Sequence, residues 1–355
     1  MTFEAAGFVD HHAHLLRVAA GVAPPFGDGR DPAVIGAWHR KVLEHWSTPM
    51  DELERPLVVD DDLRGRLERA LVKARDVGLV QITEAGMNDW AYLDALRDLR
   101  VRDVLPVRVR ILVASGIADV KRMARTGDPW LEIEGVKLYA DGWVGPRTCA
   151  LCEPFSDDAE NDGVLFLDAD ALASRADPFA EAGWTIATHA IGDRAIETCL
   201  DAYEKVFGRD CRDAAPRIEH AQVLNAELVQ RMADLGVVAC IQPGFAVSDV
   251  HSARLALGDR WEESYRWDTL LAAGVRVIGG SDHPIESLEP LVGLNRLVTA
   301  DFEDGVQSGA PTLPLDDALA IMTDRSVGVT VLSDDPHGRE DELLKIEIVE
   351  TRPSG

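Results

Sequence analysis

Residues 8–16, "FVDHHAHLL", decide between the two α/β architectures open to this chain. An open, doubly wound sheet requires a Gly-rich turn after its first strand, so that backbone can approach a phosphate. Here the first strand ends in His12 and His14, with no glycine between them. Working outward, apolar β-rich runs recur at 6–12, 78–85, 107–114, 134–140, 183–189, 216–221, 236–242 and 274–281. Amphipathic stretches at 62–77, 89–100, 168–182, 193–207, 225–235 and 264–273 read as helices between them, with a shorter one near 118–125. Continuous apolar strands alternating with helices indicate a parallel sheet covered on both faces. Eight such units predict a closed α/β (β/α)8 TIM barrel.

Two excursions interrupt the alternation, residues 15–61 after the first strand and 143–167 after the fourth. Loops at the C-terminal ends of barrel strands form the active face, so both are expected to shape a substrate pocket. Trp38, Trp46, Trp143, Phe155 and Phe245 lie in such loops and suit either an apolar substrate group or loop packing. After the eighth strand, 286–301 and 314–324 read as helical and "LLKIEIVET", 343–351, as one short strand. The expected organisation is a single barrel domain over 1–330 with a tail over 331–355.

The net charge of -26 excludes nucleic acid and anionic membrane as partners, since both require basic surface. No apolar run is long enough to span a bilayer, and "MTFEAAGFVD" lacks the form of a signal peptide. A cytoplasmic enzyme is expected. Five cysteines at irregular spacing make no disulfide framework; the pair Cys149 and Cys152 reads as two ordinary thiols.

The polar residues at the strand ends carry the chemistry. His12 and His14 are two apart on a strand and face the same way, the spacing for two imidazoles on one metal. Lys137 interrupts the apolar run of the fourth strand, in a chain with only six lysines among its 36 basic residues. His189, His220 and Asp282 end the fifth, sixth and eighth strands. Singly, each has a plain structural role open to it: a hydrogen-bonded strand-end histidine, a turn-capping aspartate, an ion pair of Lys137 with Asp141 or Glu134. A barrel brings all six to one mouth. His39, His45, His251 and His337 read as surface or pocket residues, and His11 as facing away from His12.

With those residues in place, "GFVDHHAH", "GVKLYADG", "GPRT", "THAIGDRAI", "RIEHAQV" and "GGSDHP" resemble the successive motifs of the metal-dependent amidohydrolase superfamily. The likeness is greatest to its amidohydrolase-3 branch, which includes N-substituted formamide deformylases and relatives of the D-aminoacylases. It runs from Phe8 to about Pro290. The resemblance implies two divalent metal ions, usually zinc, although His, Asp and carbamate ligands suit Zn, Mn, Fe or Co. It implies that His12, His14 and Asp282 hold one ion and His189 and His220 the other. Lys137, carboxylated by carbon dioxide, would bridge them, and Asp282 would shuttle the proton. The physical logic agrees, because burial favours a neutral, nucleophilic lysine amine able to form an anionic carbamate.

Arg147 is placed either to meet a substrate carboxylate or carbonyl, or to form a loop-to-loop salt bridge. Trp143 and His283 are further candidates to touch substrate. Asp193 is expected to cap a helix or orient His189, and Glu219 to be a packing charge or to support a ligand. Relatives usually carry a β-sandwich for which this chain supplies little sequence, so a nearly bare barrel is expected. The expected activity is hydrolysis of an amide-type C–N bond (N-acyl, N-formyl or cyclic) in a small molecule, with homodimer formation left open. Two alternatives remain: a mononuclear deaminase or non-hydrolytic lyase on the same scaffold, and a barrel that binds without catalysis.

Overall fold

In the computed structural model, residues 2–15, 19, 62–299 and 310–354 are described. The excursion 15–61, with Trp38, His39, His45 and Trp46, lies almost wholly outside them, as does the His251 side chain.

Eight parallel strands follow in chain order: β1 Phe3–Ala13, β2 Leu79–Met87, β3 Arg108–Ala114, β4 Leu131–Tyr139, β5 Thr185–Ala190, β6 Arg217–His220, β7 Val238–Ile241 and β8 Val277–Gly279. Just past β8 the chain returns to β1. Asp282 N–H donates to the His12 carbonyl and His14 N–H to the His283 carbonyl, each at 2.6 Å. Gly280 permits this approach, because a Cβ there would lie 2.6 Å from His12 Cβ and 2.7 Å from its backbone nitrogen. These bonds join the last strand to the first, as a (β/α)8 barrel requires.

The covering helices form where apolar residues recur at three- and four-residue spacing. In α1 (Leu63–Asp76) these are Leu63, Leu67, Ala70, Leu71 and Ala74. In α4 (Asp193–Phe207) they are Ala195, Ile196, Cys199, Leu200 and Tyr203. Between these lie α2 (Trp90–Val101) and α3 (Ala169–Glu181), whose N-termini are capped by the carboxylates of Asp89 and Asp168. Asn225 caps α5 (Ala226–Leu235), and Gly236, at φ +78°, ends it in the left-handed conformation. The short α6 (Phe245–Ser248) and α7 (Val250–Leu257) follow β7. Then come α8 (Trp267–Ala272), α9 (Pro290–Val298) and α10 (Leu315–Met322).

Three expectations need correction. The stretch 118–125 forms turns, and β4 begins at Leu131, earlier than expected. The helix expected over 314–324 stops at Met322, and Thr323–Leu332 is a strand, β9, which runs through the boundary expected at 330. The final strand, β10, occupies Ile348–Pro353. β9 pairs antiparallel with the first half of β1, Phe3–Phe8 against Leu332–Thr323, and β10 pairs with β9. The first strand therefore pairs along both edges within one continuous sheet: its first half with the antiparallel β9, its second half with β2 of the barrel.

Candidate metal centre

All six residues singled out at the strand ends are buried at the C-terminal ends of the barrel strands. His12, Lys137, His189, His220 and Asp282 are 1, 1, 8, 7 and 7 % exposed, and His14 is 9 % exposed. The Asp282 carboxylate lies 3.1 Å from His14 Nε2 and 3.5 Å from His12 Nε2. The His220 ring centroid is 5.2 Å from that of His12 and 4.5 Å from that of His189. His12, His220 and Asp282 each offer a ligand atom, all within 4.8 Å of one another.

Strand periodicity accounts for His12 but not for His220. Neighbouring strand residues face opposite ways, yet Glu219 and His220 both reach His12. The reason is backbone conformation: His220 has φ +75° and Ala221 +45°, which turns the strand end. Asp282 also has a positive φ, +58°. Left-handed backbone at a residue other than glycine costs on the order of 1–3 kcal/mol and persists where its surroundings enforce it.

Each imidazole is fixed through one nitrogen, or faces the centre with an unsatisfied one. His12 Nδ1 is 2.5 Å from Glu219 Oε2, leaving Nε2 toward Asp282. His189 Nε2 is 2.8 Å from the Gly142 carbonyl, which leaves Nδ1. His220 Nδ1 is buried without a hydrogen-bond partner among the described residues. Such an orphan fits a ligand atom awaiting a cation, and the donor set of four imidazoles and a carboxylate fits a divalent metal. Ligating histidines must be neutral. Burial depresses the pKa of His12, and that of His189 to about 3, with the Lys137 charge adding to both. His220 is held far below its usual range by burial and by His189. For Asp282 burial alone would raise the pKa, but His12, His14 and His220 together hold it well below the usual carboxylate range.

Lys137 is among the largest fully buried side chains. Both carboxylates that could have paired with it are engaged elsewhere. Asp141 accepts from the backbone N–H groups of Ala150, Ile191 and Gly192 at 2.8–3.0 Å. Glu134 lies 3.5 Å from Arg217 Nη1. The Lys137 ammonium position is instead 5.2 Å from the Tyr139 ring centroid. Burial lowers its pKa, against the opposing pull of Glu219 and Asp282.

The remaining candidates separate. Arg147 forks onto Asp157, Nε to Oδ1 at 3.1 Å and Nη2 to Oδ2 at 2.5 Å, while Nη1 donates to the Gly145 carbonyl at 2.6 Å. The loop-to-loop ion pair is the one formed, and the guanidinium is not directed at substrate. Trp143 is partly buried against the core, and its carbonyl receives the N–H groups of Thr148 and Cys149. His283 Nδ1 meets the Glu286 carbonyl at 3.0 Å. Asp193 takes the Cys152 N–H and does not reach His189; Asp141 does, at 3.5 Å. His11 is partly buried, and its carbonyl accepts from Arg217. His337 is exposed between Asp316 and Asp335, and Cys149 and Cys152 are free thiols.

Sequence reasoning missed two carboxylates and understated a third. Asp10 accepts from His12 N–H, Ser281 N–H and Ser281 Oγ, tying the first strand to the turn that carries Asp282. It shares the parity of His12 and His14, and that was the available signal. Glu84 of β2 comes within 3.7 Å of His14 Nδ1. Glu219 is shared between His12 and Arg217 Nε, the latter at 2.8 Å. Burial alone would raise the Glu219 pKa, but Arg217, His12 and Lys137 hold it far below the usual range.

This arrangement has relatives. The chain is 34% identical over 230 residues to the putative amidohydrolase YtcJ of Bacillus subtilis, covering 63% of this chain and 43% of that protein. It is 33% identical over 159 residues to the N-substituted formamide deformylase of Arthrobacter pascens, covering 43% of this chain and 28% of that protein. The chain thus spans less than half the length of these relatives. Among solved structures, an uncharacterized metal-dependent hydrolase from Pyrococcus horikoshii superposes with a TM-score of 0.75 at 21% identity, over 99% of this chain and 84% of that one. The zinc-complexed atrazine chlorohydrolase of Arthrobacter aurescens superposes with a TM-score of 0.57 at 14% identity, over 99% and 82%. The model of the amidohydrolase family matches residues 36–337, most of the chain, and the chain belongs to that family.

Proposed function

We propose that the chain is a metal-dependent hydrolase of small-molecule amide-type C–N bonds, such as N-acyl, N-formyl or cyclic amides, working through two divalent ions, with zinc the first choice. His12, His14 and Asp282 would hold one ion and His189 and His220 the other, with a carboxylated Lys137 supplying a further anionic ligand. The observation that carries this reading is Lys137 itself: 1 % exposed, surrounded by the histidines and Asp282, with its expected carboxylate partners bound elsewhere.

A buried amine whose pKa is pushed down is available as a nucleophile. Its nitrogen lone pair forms the N–C bond to carbon dioxide, one C=O π pair moves to oxygen, and the amine releases a proton. The product is an anion with two oxygens, which removes the conflict between a cationic side chain and cations nearby. When bound, the metal ions supply Lewis acidity that acidifies water and polarises the substrate carbonyl. Asp282 accepts the proton of the attacking water and delivers it to the departing nitrogen, general base and then general acid. Glu219 and the Gly142 carbonyl fix the tautomers of His12 and His189, so that the opposite nitrogens face inward.

One further observation supports the reading: an N-substituted formamide deformylase stands among the relatives. The test is the metal stoichiometry of the purified protein and of Lys137→Ala. Near two ions per chain in the wild type, loss of metal and turnover in the variant, and partial rescue by a short-chain carboxylate are expected. One ion per chain, fully retained by Lys137→Ala, would favour the mononuclear deaminase or lyase and sink the bridging role.

A further inference from the structure

Beside His220, on the mouth side of the barrel, is a recess lined by Gln222, Gln242, Phe245, Tyr265 and Trp267. Its polar groups are unbalanced toward acceptance. Gln242 is 3 % exposed, and its amide nitrogen donates to the Cys240 carbonyl at 3.0 Å. That bond fixes the amide orientation, so the atom left over is the oxygen Oε1, which is buried without a hydrogen-bond partner among the described residues. Tyr265 holds the other side. Its hydroxyl receives Gln222 Nε2 at 2.7 Å and lies 3.0 Å from Asp249 Oδ2 and 3.2 Å from the Phe245 carbonyl, either of which takes its single proton.

Asp249 is the only charged group in this hydrogen-bonded set. Both of its side-chain contacts, Tyr265 and Gln222 Nε2 at 3.4 Å, fall on Oδ2, and among the described residues no cation pairs with it. Arg266 lines the recess, but its guanidinium is turned to Asp268 and to the Glu262 carbonyl. The Glu286 carboxylate adds negative potential at Asp249, against a weaker opposing pull from the Arg147 guanidinium, which is itself bonded to Asp157. A buried acceptor with no donor carries a desolvation cost of about 1–3 kcal/mol unless something fills it. Here one uncompensated amide oxygen, one carboxylate and one phenol oxygen stand within a few residues of a proposed ligand.

We propose that this recess is a substrate subsite for a protonated primary amine, so that the amides hydrolysed are those carrying an ammonium group on the part of the molecule lying toward Gln242 and Asp249. An ammonium brings three donors and a charge, which matches what the recess lacks. The inference rests on the hydrolase reading for its meaning as specificity, but its binding test does not depend on turnover.

The experiment compares n-butylammonium with its neutral counterpart 1-butanol, by calorimetry at about pH 8.5, where Asp249 is ionised and the amine still protonated, on the metal-loaded protein and after metal removal by chelation. Expected is a preference of at least about tenfold for butylammonium in both forms, reduced severalfold in Gln242→Leu and in Asp249→Asn. Equal binding of the two probes to the wild type overturns the proposal without reference to any variant. So does a preference that vanishes with the metal, which would place the amine on the ion, or one unchanged in both substitutions. Turnover of an N-formyl diamine, whose free amine is an ammonium at neutral pH, is measured separately on the wild type. Its absence would sink the hydrolase reading, while the binding preference would stand or fall alone.

Discussion

Lys137 and Arg217 are both buried in this barrel, at 1 and 3 % exposure, and their surroundings drive them in opposite directions. Arg217 bonds Glu219 at 2.8 Å, approaches Glu134 at 3.5 Å and donates to the His11 carbonyl at 3.3 Å. Burial works against its charge, but the two glutamates more than offset this and raise its pKa above the ordinary value. Lys137 has comparable burial without such a bond, and its pKa falls. Desolvation is common to both, so what differs is the supply of fixed carboxylate. The ring of groups around Arg217 is a support in which every charge is answered. The group above it leaves a nucleophilic amine and an orphan imidazole nitrogen uncompensated, as a site awaiting cations should.

This contrast can be broken first at Lys137. Lys137→Ala should reduce turnover by a factor on the order of a thousand, equivalent to several kcal/mol of barrier. Its unfolding midpoint in the metal-free state should fall little or even rise, because a desolvated amine is removed. Comparing apo-protein denaturation curves checks this, and a large loss of apo stability would show Lys137 to be structural after all.

Arg217→Met should do the reverse. It leaves the buried Glu219 carboxylate without its guanidinium and with His12 Nδ1 as its remaining hydrogen-bond partner, for a loss of about 3 kcal/mol read from urea unfolding. Glu219→Gln probes the link between the two groups. Since Glu219 holds Nδ1 of His12, the variant should weaken metal affinity by about 10–100-fold, measured by competition with a chromophoric chelator. Unchanged affinity would confine Glu219 to the support.

The smallest effect concerns Asp249, outside both groups, whose pKa is raised to about 7 by burial and by Glu286 against the pull of Tyr265 and Gln222. An unfolded aspartate ionises near pH 4. Between about 4 and 7 the folded chain therefore binds more protons than the unfolded chain, and stability falls as pH rises through that window. Asp249→Asn should flatten this slope, read from urea unfolding at a series of pH values across the window. Identical profiles for wild type and variant would contradict the shift.

The sequence made most of the barrel legible, since buried parallel strands are near-continuous apolar runs and their helices carry a strong three-to-four spacing. β9 was missed for a physical reason. "TDRSVGVTVL" opens on polar and charged residues, its β-branched half begins only at Val327, and the partner that fixes it as a strand, Phe3–Phe8, is some 320 residues away. The turns at 118–125 show the opposite error: a weak local pattern that no tertiary surface required to be a helix.

At the site the division is similar. Residue type and strand-end position were enough to single out His12, His14, Lys137, His189, His220 and Asp282, and the barrel collects those strand ends at one buried mouth. Which carboxylate holds which imidazole was settled only by the tertiary structure. Glu219 meets His12 across 207 residues, and Asp10 meets Ser281 across 271. The left-handed backbone at His220 brings two neighbouring side chains to one centre, against the alternation of a regular strand. Identity and periodicity are local properties that a chain carries with it. Hydrogen-bond partnership and backbone strain belong to the contacts of the folded state, where burial makes an unsatisfied polar group expensive enough to dictate the pairing.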